Sequence, residues 1–372
     1  MKIVSIECLV LDEEYPYVVI NTDEGIIGFG ECFRRSPYVT KTVIETVFTP
    51  LIIGKSPFSN NEIWEEMINS AATMGPLGTL LTAASGIDIA LWDIKGKVLN
   101  QPIHKLIGGK QKDKISLYAS SLRRDLSPKE EAVRVGKFLD KGFMAYKMHS
   151  ANPSKIDDKL NDNTINTVKE IRKELGNQVE IMVDVNGAYS VSHAIEIGKQ
   201  LEDLNVFHFE EPVKSMKDME GLSRVSEKLD IPIAAGENAF TRWEHMRLFE
   251  YGKPDIMQPD VVKVGGITEH LRIESALTSK NAILTTHNTQ PYGSTAAHAH
   301  IISTSNNYPY YQEYNIEKVS IKDNDSILDE KFEPIDGSIK VPESPGLGLA
   351  YNLNRMRERS VDKPKKLVDP RK

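Results

Sequence analysis

Apolar and polar positions change their period along this chain of 372 residues. Over residues 1–30 the apolar runs KIVSIECLVL, YPYVVINTDE and GIIGFGECF predict two or three antiparallel strands, with Thr22-Asp23-Glu24-Gly25 as a hairpin turn. Helical spacing takes over from about Val39 to Val98. It is clearest in Leu80–Leu99, where Ile87, Leu91, Ile94 and Val98 share a face. Strands followed by helices, without alternation, predict a compact α+β domain over 1–113.

From Lys114 strand and helix patterns alternate. KISLYAS reads as a strand, and SPKEEAVRVGKFLDKG as a helix whose Ser127 and Glu130 form a capping-box pattern. Strand FMAYKMH follows, and then a polar stretch, Ser150–Asn163, reads as a surface insertion before the next strand at Ile181. Strands end near residues 120, 149, 184, 210, 237, 260, 287 and 313, eight in all, which is a closed-barrel number. The predicted fold class is therefore α/β: a TIM-like (β/α) barrel over 114–314 with an N-terminal α+β capping domain. A C-terminal segment, 315–372, returns to strand-and-turn character (GSIKVPESPGLGLAYN) and is expected to pack back on the cap. Its end, 353–372, reads as a solvated basic tail with Pro364 and Pro370.

Polar residues sit at six of those strand ends: Asp184, Glu210, Glu237, Asp260, His287 and Glu313, with gaps of 26, 27, 23, 27 and 26. Groups at the carboxyl ends of successive parallel strands converge on one mouth of a barrel. Three carboxylates brought together repel unless a cation lies among them, and hard oxygen ligands favour Mg²⁺ over Zn²⁺. Asp184, Glu210 and Glu237 are thus candidate metal ligands. A carboxylate beside an imidazole fixes its tautomer and raises its pKa, which makes Asp260–His287 a candidate acid/base pair. Lys147 and His149 alternate at the end of the second strand, so both side chains point the same way; one can contact a bound carboxylate while the other reaches a proton. Glu313, if protonated, can donate a hydrogen bond to a developing oxyanion; otherwise it is a rim acid. Together these groups suit abstraction of a proton next to a carboxylate, with a divalent ion stabilising the enediolate.

Composition narrows the partners. A net charge of −7 and a pI near 5.8 argue against nucleic acid or an anionic membrane as the main partner. Only Cys8 and Cys32 occur, too few for a disulfide scaffold. The opening MKIVSIECLVLDEEYPY lacks an apolar signal core, and no apolar run approaches a membrane span. The chain reads as soluble and cytoplasmic, and a symmetric homo-oligomer is the default expectation.

These motifs resemble the enolase superfamily, and within it the mandelate racemase-like branch, over nearly the whole chain. AASGIDIALWDIKGKVLNQPIHKLIGG (83–109) looks like the family's first signature and IMVDVN…FEEP (181–212) like its second; AAGEN, QPDVVKVGG and TTHN follow in the family's order. The resemblance implies that Asp184, Glu210 and Glu237 hold Mg²⁺, that Asp260–His287 is the dyad, and that Glu313 is the carboxylate partner on the last strand. Asp260 stands where muconate cycloisomerase and dipeptide epimerase relatives carry lysine, which disfavours both. Asn186 stands where mannonate and galactonate dehydratase relatives carry histidine. The family's usual Lys-x-Lys is here Lys147-Met148-His149, which leaves open which of the two is the base.

Among the branch's activities, GIDIALWDIKGK and the QEY ending favour dehydration of an acid sugar, an aldonate or aldarate, to a 2-keto-3-deoxy acid. In that reading His287 assists departure of the 3-hydroxyl. The segment Asp12–Tyr17, with Tyr15 and Tyr17, would close over the substrate. Arg34 and Arg35 either meet its hydroxylated or second carboxylated end or are solvated turn residues. The alternatives are racemisation or epimerisation of a 2-hydroxy or amino acid derivative, and a non-catalytic protein retaining the fold.

Overall fold

The computed structural model describes residues 1–75, 77–317 and 327–364. Strands β1 (Ile3–Leu11), β2 (Tyr15–Thr22) and β3 (Ile27–Glu31) form an antiparallel sheet in that order. Both faces of β2 are covered. Val18 and Ile20 pack with Ile87 and Leu91 of the helix Thr79–Val98, while Tyr15, Tyr17 and Val19 pack with Phe29, Leu328 and Met356. That helix approaches β3 very closely: a Cβ at Gly30 would lie 1.9 Å from the Gly86 carbonyl oxygen, so only glycine permits the contact.

The second sheet contains β4 (Lys114–Ser120), β5 (Ala145–His149), β6 (Glu180–Asp184) and β7 (His208–Glu210). It continues with β8 (Ile233–Ala235), β9 (Ile256–Met257), β10 (Ile283–Leu284) and β11 (Gln312–Asn315). All eight are parallel, in the order β10-β9-β8-β7-β6-β5-β4-β11, so the last strand returns beside the first. The expected capping box holds on the helix Pro128–Leu139, and residues 150–163 contain neither helix nor strand.

The ring departs from the expected closed ladder in one place. Between β10 and β11 it is completed by side chains: Gln312 Oε1 accepts Thr286 N–H at 2.9 Å and Glu313 Oε2 accepts Asn288 N–H at 2.7 Å. Strands β8, β9 and β10 are also shorter than their apolar runs suggest. Glu237, Asp260 and His287 therefore lie two or three residues past the strand ends, on loops.

The C-terminal segment touches both domains. Its strand β12 (Ser338–Lys340) pairs antiparallel with β4, and Tyr351 stacks on Phe29 of the cap at 4.7 Å. The expected solvated tail starts differently: Leu353–Arg359 is a helix, N-capped by the Asn352 side chain, with Met356 buried and Val361 N–H donated to the Val10 carbonyl at 2.9 Å. Residues 365–372, with Pro370, lie outside the described residues. Cap and barrel are joined at buried polar contacts; Asp88 of the cap helix accepts Thr268 N–H at 2.9 Å and Trp64 Nε1 donates to the Gly265 carbonyl at 3.1 Å. Among the described residues no helix is long and apolar enough to cross a membrane.

Candidate active site

Strand register builds the first half of the site. His149 is paired with Asp184 and Asp184 with Glu210, so three polar side chains stand at one level on adjacent strands β5, β6 and β7. Glu237 joins them through Gly236, whose φ of +138° is open to glycine and whose Cβ would meet Gln258 N at 2.8 Å. Asp184, Glu210 and Glu237 are buried, and one oxygen from each lies within 4.8 Å of the others. An all-carboxylate, water-shielded set of this size fits a hard divalent cation.

The charges around the three acids are compensated in detail. Lys147 Nζ lies 2.7 Å from Glu210 Oε1, 2.8 Å from Glu313 Oε1 and 3.7 Å from Asp184 Oδ2. Burial acts to lower its pKa, but Glu210 and Glu313 carry it well above the ordinary lysine value. His149 Nε2 is 2.8 Å from Asp184 Oδ2, and its Nδ1 donates to the Ser121 carbonyl at 2.5 Å. Burial would raise Asp184; His149, and then Lys147, hold it below the usual carboxylate range. Asn186, with φ of 44°, turns the chain just past Asp184 and donates its backbone N–H back to Asp184 Oδ1 at 2.8 Å.

The dyad faces this group from the other side. His287 Nδ1 is 2.7 Å from Asp260 Oδ2, and its Nε2 is 3.0 Å from Glu237 Oε2. Burial disfavours its charge, yet Glu237 and Asp260 push its pKa up to about 10. The Val262 N–H donated to Asp260 Oδ1 at 3.0 Å orients the carboxylate. The Phe33 ring, from the cap, lies 6.3 Å from the imidazole and shields it.

Glu313 stands at the site: Oε1 accepts Ser120 Oγ at 2.7 Å and lies 2.8 Å from Lys147 Nζ, and Oε2 accepts Asn288 N–H at 2.7 Å. It anchors the lysine and the His287 loop. The other expected residues fall elsewhere. Tyr15 and Tyr17 are fully buried in the cap on β2, so they line no substrate surface, and Asp12–Glu14 is a tight turn. Arg34 joins cap to barrel, donating its backbone N–H to Gln290 Oε1 at 2.8 Å and pairing its guanidinium with Glu14 at 2.5 Å. Arg35 is exposed beside it.

Several functional residues were missed. Gln258 Nε2 donates to Glu210 Oε2 at 2.8 Å; its place two residues before Asp260, in QPD, was the available signal. Buried Lys263 sits 5.0 Å over the Phe33 ring; burial would raise the Glu237 pKa, and His287 first, then Lys263, hold it well below the usual carboxylate range. Arg124, on the loop after β4, donates to Asn186 Oδ1. Glu211 accepts Ser215 Oγ at 2.8 Å, and burial and then Glu237 raise its pKa to about 8.

Glu31 ends β3 against the loop that carries His287, where Oε2 accepts Ser294 N–H at 2.8 Å. Burial raises its pKa from 4.5 to about 7, against the lowering effect of that N–H. A carboxyl with a raised folded pKa retains its proton while the unfolded chain has lost it. Stability from this group is thus present below pH 4.5 and falls as pH rises toward 7. Glu31→Gln, which never ionises, is expected to raise the melting temperature at pH 8 relative to its effect at pH 5. Equal shifts in calorimetric scans at the two pH values would contradict this.

Comparison with known proteins adds the following. Residues 8–108 match the mandelate racemase / muconate lactonizing enzyme N-terminal domain, and residues 130–355 match the enolase C-terminal domain-like family. An arabinonate dehydratase from Saccharolobus solfataricus is 33% identical over 337 residues, covering 88% of this chain and 86% of that protein. The crystal structure of the 3,6-anhydro-D-galactonate cycloisomerase from Zobellia galactanivorans superposes with a TM-score of 0.87 at 30% identity, covering 97% of this chain and 100% of that one. A mandelate racemase/muconate lactonizing protein from Paracoccus denitrificans, crystallised with magnesium, superposes with a TM-score of 0.89 at 27% identity, covering 96% and 97%.

Proposed function

The chain belongs to the enolase superfamily, on its mandelate racemase-like branch, and from that premise we propose that it is a hydro-lyase that dehydrates an acid sugar, an aldonate or aldarate, to a 2-keto-3-deoxy acid. The observation that carries the reading is the pairing of two proton-transfer groups, Lys147/His149 and His287, across one carboxylate triad. The similarity to an arabinonate dehydratase and to a cycloisomerase of another sugar acid supports the substrate class.

Asp184, Glu210 and Glu237 hold the metal in this reading, and Mg²⁺ is the proposed ion, as in the magnesium complex of the Paracoccus denitrificans relative. When bound, such an ion supplies positive charge that acidifies the α-carbon of a substrate carboxylate. Lys147 or His149 takes the α-proton from one face; for Lys147 this requires that a cation held by Asp184 and Glu210 offset the acids that keep it protonated. His287, oriented by Asp260 and charged near neutral pH, protonates the departing 3-hydroxyl from the other. The enol so formed tautomerises to the keto acid. Glu313 holds Lys147 at its working position. The barrel strands from Lys114 to Asn315 carry this chemistry, and the cap sheet with Leu328, Tyr351 and Met356 packs beside them, with Phe33 excluding water from His287.

A panel of aldonic and aldaric acids incubated with Mg²⁺ tests the proposal through 2-keto acid formation. At least one member is expected to be converted. Stereoinversion of substrate without loss of water would favour the racemase reading instead.

A further inference from the structure

A cavity of about 530 Å³ opens beside the carboxylate triad, walled by the ends of β4 and β5 and by the 150–163 insertion. The insertion is fixed in place. Asp157 Oδ1 accepts Ser190 N–H at 2.6 Å, and Asp162 Oδ2 accepts the Tyr189 hydroxyl at 2.5 Å. The other acids of the wall also have donors: the Tyr146 hydroxyl reaches Glu131 at 2.7 Å, and Asn161 reaches Asp158 at 2.9 Å.

Arg124 differs. Its guanidinium donates to the amide oxygen of Asn186, and among the described residues no carboxylate lies within ion-pair distance of it. Asn186 Nδ2 in turn reaches Asp184 at 3.2 Å and Glu237 at 3.5 Å. Arg124 therefore stands between the triad and the cavity, one hydrogen-bonded amide away from the acids. Burial disfavours its charge, opposed by Asp184 and Glu237, and Arg35 of the cap lies close enough to feel it. A guanidinium held at a cavity without an acid partner matches a carboxylate that arrives with a ligand.

We propose that Arg124 and this cavity bind a second carboxylate on the substrate, so that the preferred acid sugar is a dicarboxylic one whose other end lies at the triad. The hydroxylated chain rests on the acid-sugar reading above, whereas the second carboxylate is tested without it. Adipate and hexanoate have equal chain length, differ by the distal carboxylate and undergo no dehydration. Calorimetric titration in excess Mg²⁺ is expected to show adipate binding tighter by about tenfold or more. Arg124→Gln should remove that difference and leave hexanoate unchanged, and Arg124→Lys should keep part of it; a thermal melt checks that each variant is folded. Equal affinities in the parent protein, or no binding of either, would overturn the proposal. So would an Arg124→Gln variant that loses both ligands alike, which would assign Arg124 to the shared carboxylate. Because neither probe reacts, failure of the dehydratase reading would show separately, in the acid-sugar panel.

Discussion

Replacing Glu210 with glutamine is expected to remove divalent-ion affinity and turnover together, with kcat/KM falling roughly 10³-fold or more. Glu210 is the central acid of the triad, completely buried, and its two oxygens are engaged separately, Oε1 by Lys147 and Oε2 by Gln258. Glutamine preserves the shape and one acceptor but removes the negative charge. Lys147 then keeps Glu313 as its nearest acid, at 2.8 Å. The lysine is thereby drawn away from the triad, so one substitution weakens the cation site and misplaces a candidate base. Calorimetric titration with Mg²⁺ and steady-state assay of the same preparation check both effects. Unchanged Mg²⁺ affinity would exclude Glu210 as a ligand.

His287→Asn is expected to reduce kcat by about 10²–10⁴-fold while KM moves little. The imidazole is the group of the dyad that faces the triad, and asparagine keeps polarity without a titrating proton. If Lys147 or His149 takes the α-proton, the variant should still exchange that proton with solvent in ²H₂O although water is no longer lost. Loss of exchange together with dehydration would make His287 the base as well. An unchanged kcat would remove it from the reaction altogether.

The barrel and its six polar residues were legible because each lies one βα unit from the next, and β-rich runs announce the strands. Local backbone detail was not. Glu237 is swung into place by a positive φ at Gly236 that apolar periodicity does not encode. The sequence places Tyr15 and Tyr17 in a short segment, Asp12–Tyr17, expected to close over the substrate. In the fold the segment carrying Leu328 and Met356 covers the face of β2 they share, a contact more than 300 residues away in sequence. Arg124 and Lys263 were missed for a related reason: their roles depend on Asn186 and Phe33, which reach them from other loops. The departure from Lys-x-Lys at His149 was visible in the sequence, and the structure adds its bonds to Asp184 and to the Ser121 carbonyl.

Proton NMR of the enzyme with a converted acid sugar and Mg²⁺ in ²H₂O tests the central claim most directly. Dehydration through an enol predicts a 2-keto-3-deoxy acid carrying deuterium at C3, with no inverted substrate. Deuterium at C2 of an epimerised acid, with no water lost, would contradict the account.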